Sequence, residues 1–378
     1  MKSDKSKSRR SFIQKLFVAG SGMALAAKTG FASENTKPMN EEPTVKRIKP
    51  LGFQWETQDP FLFCVHHEDF FPKGEENMGP PKELLKGRQI GQDFMIKDGF
   101  RMYHGQEVPG FPGHPHRGFE TITVVRKGMV DHSDSQGASG RYGNGDVQWM
   151  TAGKGLQHAE MFPLIHKDKD NTMELFQIWL NLPRKNKMVE PHFKMLWGES
   201  IPDYKKDING KNVRVEVIAG KLENHQAPAP PPNSWAADQS NELAIWNIKI
   251  EAGGKWTLPK ASSGVNRSLY FYKGDQLLLD ETKVPNYHAA DIRGDVSVTL
   301  TAGAEDAHIL VLQGKPIAEP VVQHGPFVMN TKEEIQQAFY DYQQTRFGGW
   351  PWVSPGPVHG RTKGRFAYHA DGRKEEKG

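Results

Sequence analysis

A single cysteine, Cys64, stands among 378 residues, which excludes a disulfide within the chain and leaves the fold to packing and hydrogen bonding. Long apolar runs are equally scarce. The best candidate, LFVAGSGMALAA near the N-terminus, is too short and too rich in Gly and Ser to span a bilayer, so no stable membrane span is expected. Excess positive charge is missing from the body of the chain. The formal net charge is +4, but residues 1 to 30 hold seven Lys or Arg against one Asp, a charge of +6, which leaves −2 for the remainder. A body of that sign has nothing to neutralise a phosphate backbone, and no nucleic-acid partner is expected.

What is present points to β structure. With 37% hydrophobic residues the chain can bury a substantial core, while 38 glycines and 26 prolines interrupt helices and mark turns between short strands. The leader carries its own signal. In SRRSFIQK, residues 8 to 15, paired arginines precede Phe12 and the short apolar run, which resembles a twin-arginine export signal with small residues near Ala27 or Ala32 as cleavage sites. Export to the periplasm is the expectation. Twin-arginine export carries folded proteins, so a metal could be loaded before export.

Residues 1–32 are therefore read as signal peptide and 33–50 as a polar, proline-broken linker. Two β units follow, at 51–186 and 187–330, and a helix with a tail at 331–378. Residues 66 to 113 show no sustained period and read as long loops with one or two strands. Beyond Gly118 the pattern sharpens: FETITVVRKGMVDHSDS alternates and is β-branched, VQWMTAGKGLQHAEMFP follows, and ELFQIWLNLP ends at Pro183. After Pro191 a second series of short strands appears. GDVQWMTAG at Gly145 and GDVSVTLTAG at Gly294 lie 149 residues apart, which fits a tandem duplication. Thr331 with Glu334 forms a capping box, with Ile335, Phe339 and Tyr342 on one helical face. The aromatic tail after Phe347 is broken by proline, and its charged end is expected to be disordered.

The candidate chemistry lies in HPHRGFE, residues 114 to 120. In an extended segment His114 and His116 point to one side, and Pro115 keeps its predecessor out of the helical region. His158 and Glu160 repeat the arrangement in QHAEM. Two such pairs on facing strands of a barrel gather three imidazoles and a carboxylate at one interior point, a set suited to Fe(II), Mn, Co, Ni, Cu or Zn rather than Ca or Mg. An isolated H-x-H is usually incidental; the β alternation and the second His-x-Glu are what give this one weight. His66, His67, Glu68 and Asp69 read as a solvated or gating loop. Taken without the family pattern that they fit, His132, Asp134 and Ser135 read as a polar outer face and turn, and Trp149, Met150 and Met161 are placed at the cavity wall or, by default, in the core.

The stretches HPHRGFETITVV, V-x-H-x-D-S-x-G and GDVQWMTAGKGLQHAEMFP, together with GKPIAEPVVQHGPFVMNTKEEIQQAF near the C-terminus, closely resemble the pirin family of the cupin superfamily. The likeness covers most of Asp59 to Gly349. It implies an all-β fold of two tandem cupin barrels with a C-terminal helix, and one divalent metal, most often Fe(II), in the first barrel only. Carried over by position, the metal ligands fall on His114, His116, His158 and Glu160. The second barrel is degenerate, with PKASSGVNRSLYFY where histidines would stand, and His308 there is expected to be structural. Many cupins use the glutamate a few residues after H-x-H as the ligand, which would be Glu120; the pirin pattern favours Glu160, with Glu120 as an acceptor that orients a ligand imidazole, and Glu160 or Glu120 as the group that takes a substrate proton. The resemblance implies cleavage of a flavonol-like aromatic by dioxygen, of the quercetin 2,3-dioxygenase type. Its alternative is a non-enzymatic metal protein that acts through a protein partner.

Overall fold

The computed structural model describes residues 42 to 377; the twin-arginine signal and most of the linker lie outside the described residues. Alternating strands build two barrels. In the first, a six-stranded sheet runs His192–Leu196, Val147–Thr151, Phe119–Lys127, Asn171–Asn181, Phe61–Phe71 and Gln54–Glu56. It faces a second six-stranded sheet, ordered Lys374–Lys377, Arg365–Tyr368, Ser139–Gly143, Met129–Asp134, Leu156–Met161 and Gly110–His116. The second barrel closes a seven-stranded sheet, Val45–Pro50 at one edge and Asp203–Ile208 at the other, against a four-stranded one. The expected tandem cupin architecture is present, and so is the helix, Lys332–Thr345, with its Thr331–Glu334 capping box formed.

Strand alternation separates the two faces of the first sheet. On Phe119–Lys127, Ile122 and Val124 pack into a cluster shared with Ile245, Tyr270 and Leu310 of the second barrel, whereas Val125 joins Phe71, Val130 and Tyr142 inside the first. Asn171–Asn181 obeys the same rule, sending Phe176, Ile178 and Leu180 to the seam and Met173 and Leu175 inward. One face therefore makes the chamber and the other makes the joint.

Several expectations need correction. Val45–Pro50, read as linker, is an edge strand paired with His288–Arg293 of the second barrel. The C-terminal end, read as disordered, forms a hairpin of Arg365–Tyr368 and Lys374–Lys377 that adds to the first barrel beside Ser139–Gly143. Four-residue strands with charged outer faces carry too little hydrophobic period to stand out from a solvated tail. The GDV match is also out of register. Val147–Thr151 pairs with Phe119–Lys127, and its counterpart by topology is His288–Arg293, which pairs with Asn266–Lys273 and precedes the second GDV.

Candidate metal centre

The site grows from one strand pair. Gly110–His116 and Leu156–Met161 are antiparallel, with His114 directly opposite His158. A register shift between Phe111 and His114 re-aims the first strand, as bulges do next to functional sites. The ring of His158 lies 4.5 Å from that of His114 and 4.9 Å from that of His116. Potential ligand atoms of the three imidazoles all fall within 4.8 Å of one another.

These nitrogens meet each other rather than protein partners. Neither ring nitrogen of His158 nor Nδ1 of His116 has a hydrogen-bond partner, although all are buried. Such orphaned atoms are costly without something to satisfy them. His114 is turned by a hydrogen bond between Nδ1 and the Pro112 carbonyl at 3.0 Å, which frees Nε2 for the cavity. Burial and the neighbouring imidazoles push His116 and His158 well below the ordinary histidine range, and burial lowers His114 to about 4. All three are neutral, the state in which imidazole binds metal. The chemistry of the donors fits a divalent transition ion.

Glu160 sits beside this triad, its Oε2 3.7 Å from Nε2 of His158. It accepts from Thr123 Oγ1 at 2.9 Å and Gln177 Nε2 at 2.6 Å, with Tyr142 OH at 3.4 Å. Burial raises its pKa, and those donors pull it back. Thr123, Tyr142 and Gln177 were not singled out from the sequence. The signal was available: Gln177 is one of the inward positions of ELFQIWLN by the period of two.

Glu120 is elsewhere. It lies on the seam face of its strand, where it accepts from Thr151 Oγ1 at 2.6 Å and Ser234 Oγ at 2.5 Å. Its partners are hydroxyls and not an imidazole, which corrects its reading as an acceptor for a ligand or as a proton acceptor for substrate. His132 is likewise no outer-face residue: it is fully buried, stacked on Phe193 with its ring 5.6 Å from that of His158. Trp149 is core, as expected, in the seam cluster. His308 sits in the second barrel near Tyr272, on the strand that pairs with Ala244–Ile250.

Above the triad opens a cavity of about 810 Å³, lined by His114, His116, Glu160, Gln177 and the aromatic rings of Phe53, Phe63, Phe94, Phe111 and Trp179. It is the size and character of a site for a small aromatic molecule. The HHED segment, read as a loop, belongs to the strand Phe61–Phe71 and splits between faces. His66 stacks on Phe176 in the seam, while His67 lines the cavity. His67 Nδ1 lies 2.8 Å from Tyr103 OH, which donates to Asp69 Oδ2 at 2.6 Å, and Asp69 is held by Arg101 at 3.0 Å. Because the tyrosine proton goes to Asp69, Nδ1 of His67 carries the hydrogen and Nε2 is an acceptor. Burial lowers the pKa of His67 to about 3 and keeps it neutral.

Comparison with known proteins agrees with this architecture. Residues 75–180 match the sequence profile of pirin, and residues 245–348 match that of the pirin C-terminal cupin domain. A Pseudomonas aeruginosa protein provisionally named quercetin 2,3-dioxygenase is 38% identical over 280 residues, 71% of this chain and 92% of that one. Human pirin is 35% identical over 260 residues, covering 68% of this chain and 82% of its own. The crystal structure of a quercetin 2,3-dioxygenase from Acinetobacter baumannii superposes with a TM-score of 0.63 at 27% identity, over 81% of this chain and 98% of that one.

Proposed function

Since the chain belongs to the pirin family, we propose that it is an exported, metal-dependent dioxygenase of the quercetin 2,3-dioxygenase type. The observation that carries the proposal is the convergence of three neutral imidazoles, with orphaned nitrogens, at the floor of an aromatic-lined cavity. His114, His116, His158 and Glu160 would hold the ion, with Fe(II) favoured. When bound, the ion supplies Lewis acidity and a template for a flavonol-like substrate and dioxygen.

The chain's own groups divide the remaining work. Phe111, Phe63 and Trp179 offer flat apolar walls to a planar ring system and exclude water from it. His67 Nε2, fixed as an acceptor through Tyr103 and Asp69, is suited to receive a hydrogen bond from a substrate hydroxyl. Glu160 is the carboxylate nearest the reacting face, and Thr123 and Gln177 fix its orientation. It is the candidate to take the hydroxyl proton of substrate.

Incubating iron-loaded protein with quercetin should consume oxygen, and His114→Ala or His158→Ala should lose both metal and turnover, read by elemental analysis and an oxygen electrode. Absence of oxygen uptake with flavonols under iron, manganese, cobalt, nickel and copper would remove the enzymatic reading. The export part rests on SRRSFIQK alone. Replacing Arg9 and Arg10 by lysine should retain the protein in the cytoplasmic fraction, and undiminished recovery from the periplasm would count against it.

A further inference from the structure

Among the described residues the second barrel holds no cluster of metal-ligating side chains, and its interior is packed, but a cavity opens at its end. The strand pair that corresponds to the histidine-bearing one is Lys255–Leu258 with Val298–Ala302, and its inward residues Trp256, Leu258, Val298 and Leu300 are core. A separate cavity of about 720 Å³ remains at the end of this barrel, and Arg267 lines it. Arg267 is on Asn266–Lys273, the counterpart of Phe119–Lys127, and only 1% of it is exposed.

This guanidinium is incompletely matched. Its Nε donates to Gln313 Oε1 at 2.7 Å, while the amide of Gln313 is occupied with the Glu242 carbonyl oxygen. Among the described residues no carboxylate lies within ion-pair distance of Arg267, and its Nη1 has no protein acceptor. Burial lowers its pKa to about 10, opposed by the charge of Glu242. A second buried donor on the same cavity, Trp246 Nε1, also lacks a partner. A buried arginine without an anion is destabilising, and its planar fork matches a carboxylate.

We propose that the second barrel binds a small organic carboxylate, its charged end on Arg267 and Trp246 and its apolar body against Leu222 and Leu243. The apolar walls favour such a molecule over inorganic phosphate. At the rim, Lys221 and Lys260 offset Glu223 and Glu242, so the entrance has no net charge and the guanidinium supplies the selectivity. The site is independent of the metal.

Calorimetric titration of the metal-stripped full chain tests this with benzoate, its uncharged relative benzamide, and inorganic phosphate. Benzoate should bind saturably at one site, at least tenfold more tightly than either control. Arg267→Gln should weaken benzoate by about tenfold or more, the range for a lost charge-assisted hydrogen bond. Arg267→Lys should retain part of the affinity, and His114→Ala should change nothing. Gln239→Trp at the exposed rim narrows the entrance without touching Arg267, and should weaken benzoate even if the arginine variants fold poorly. The proposal is overturned by absent benzoate binding, by unchanged affinity in Arg267→Gln or Gln239→Trp, by tighter binding of phosphate, or by loss of binding in His114→Ala, which would place the anion at the metal centre.

Discussion

Two buried glutamates of one barrel, Glu120 and Glu160, stand on its two facing sheets and are separated by which way their strands turn them. Glu160 faces the chamber and a histidine, whereas Glu120 faces the joint between barrels, where burial raises its pKa to about 7 against 4.5 in a free side chain. The sign of the consequence follows from linkage. Below about pH 4.5 both folded and unfolded forms hold the proton, so Glu120 costs nothing. Between about 4.5 and 7 the unfolded chain releases it first, and stability falls as pH rises. Above 7 the cost is complete, about 3 kcal/mol at 1.36 kcal/mol per unit. Glu120→Gln keeps the shape and removes the titration, so urea unfolding of the metal-stripped protein should show a flatter profile from pH 5 to 8 than wild type. Parallel profiles would show that Glu120 is ionised at no cost. The spacing of HPHRGFE made the shared direction of His114 and His116 legible, because H-x-H in an extended strand fixes a common face, and QHAEM supplied His158. It could not assign Glu120, since Gly118 is at φ +85°, where a Cβ would collide with the Val328 carbonyl oxygen, and that turn resets the alternation between His116 and Glu120.

Local chemistry decided which elements could be read in advance. The helix Lys332–Thr345 announced itself because Thr331 and Glu334 satisfy each other's backbone: Thr331 Oγ1 accepts from the Glu334 N–H at 3.2 Å, and Glu334 Oε2 accepts from the Thr331 N–H at 3.0 Å. Thr331→Ala should cost about 1 kcal/mol of helix stability and speed amide exchange across the first turn. The histidine cluster should be unaffected, because the helix reaches the strand that carries His114 and His116 from its other end, where Arg117 Nη1 donates to Asp341 Oδ2 at 2.7 Å. A variant that exchanged no faster would mean that packing of Ile335 and Ala338 alone holds the turn. Phe61–Phe71 was harder to see. Four polar residues in succession, HHED, hide an alternation in which both faces are buried, one by a second barrel that single-strand periodicity cannot anticipate. The partners that bury the odd face of that strand, Arg101 and Tyr103, arrive from a loop more than 30 positions away, and only the fold brings them to Asp69.

At the scale of the molecule, the chain ties its two barrels together by exchanging its ends. Val45–Pro50 completes the second barrel before Gln54–Glu56 enters the first, and the C-terminal hairpin returns to the first after the second is finished. Between them lies a largely apolar joint in which Trp55, 1% exposed, stacks on Tyr270 of the other barrel at 5.2 Å and 11° and touches Phe176 and His66. Neither barrel can open without exposing that joint, so calorimetry should record one transition with equal calorimetric and van't Hoff enthalpies. Trp55→Ala removes one of the two fully buried tryptophans at the contact and should cost about 3 to 5 kcal/mol. Because both barrels share the loss, the variant should still unfold in one step, with the histidine-bearing and arginine-bearing halves melting together at a lower temperature. Two resolved transitions in wild type would instead make each barrel its own cooperative unit, and the exchanged strands would then be edge decorations rather than the fastening between them.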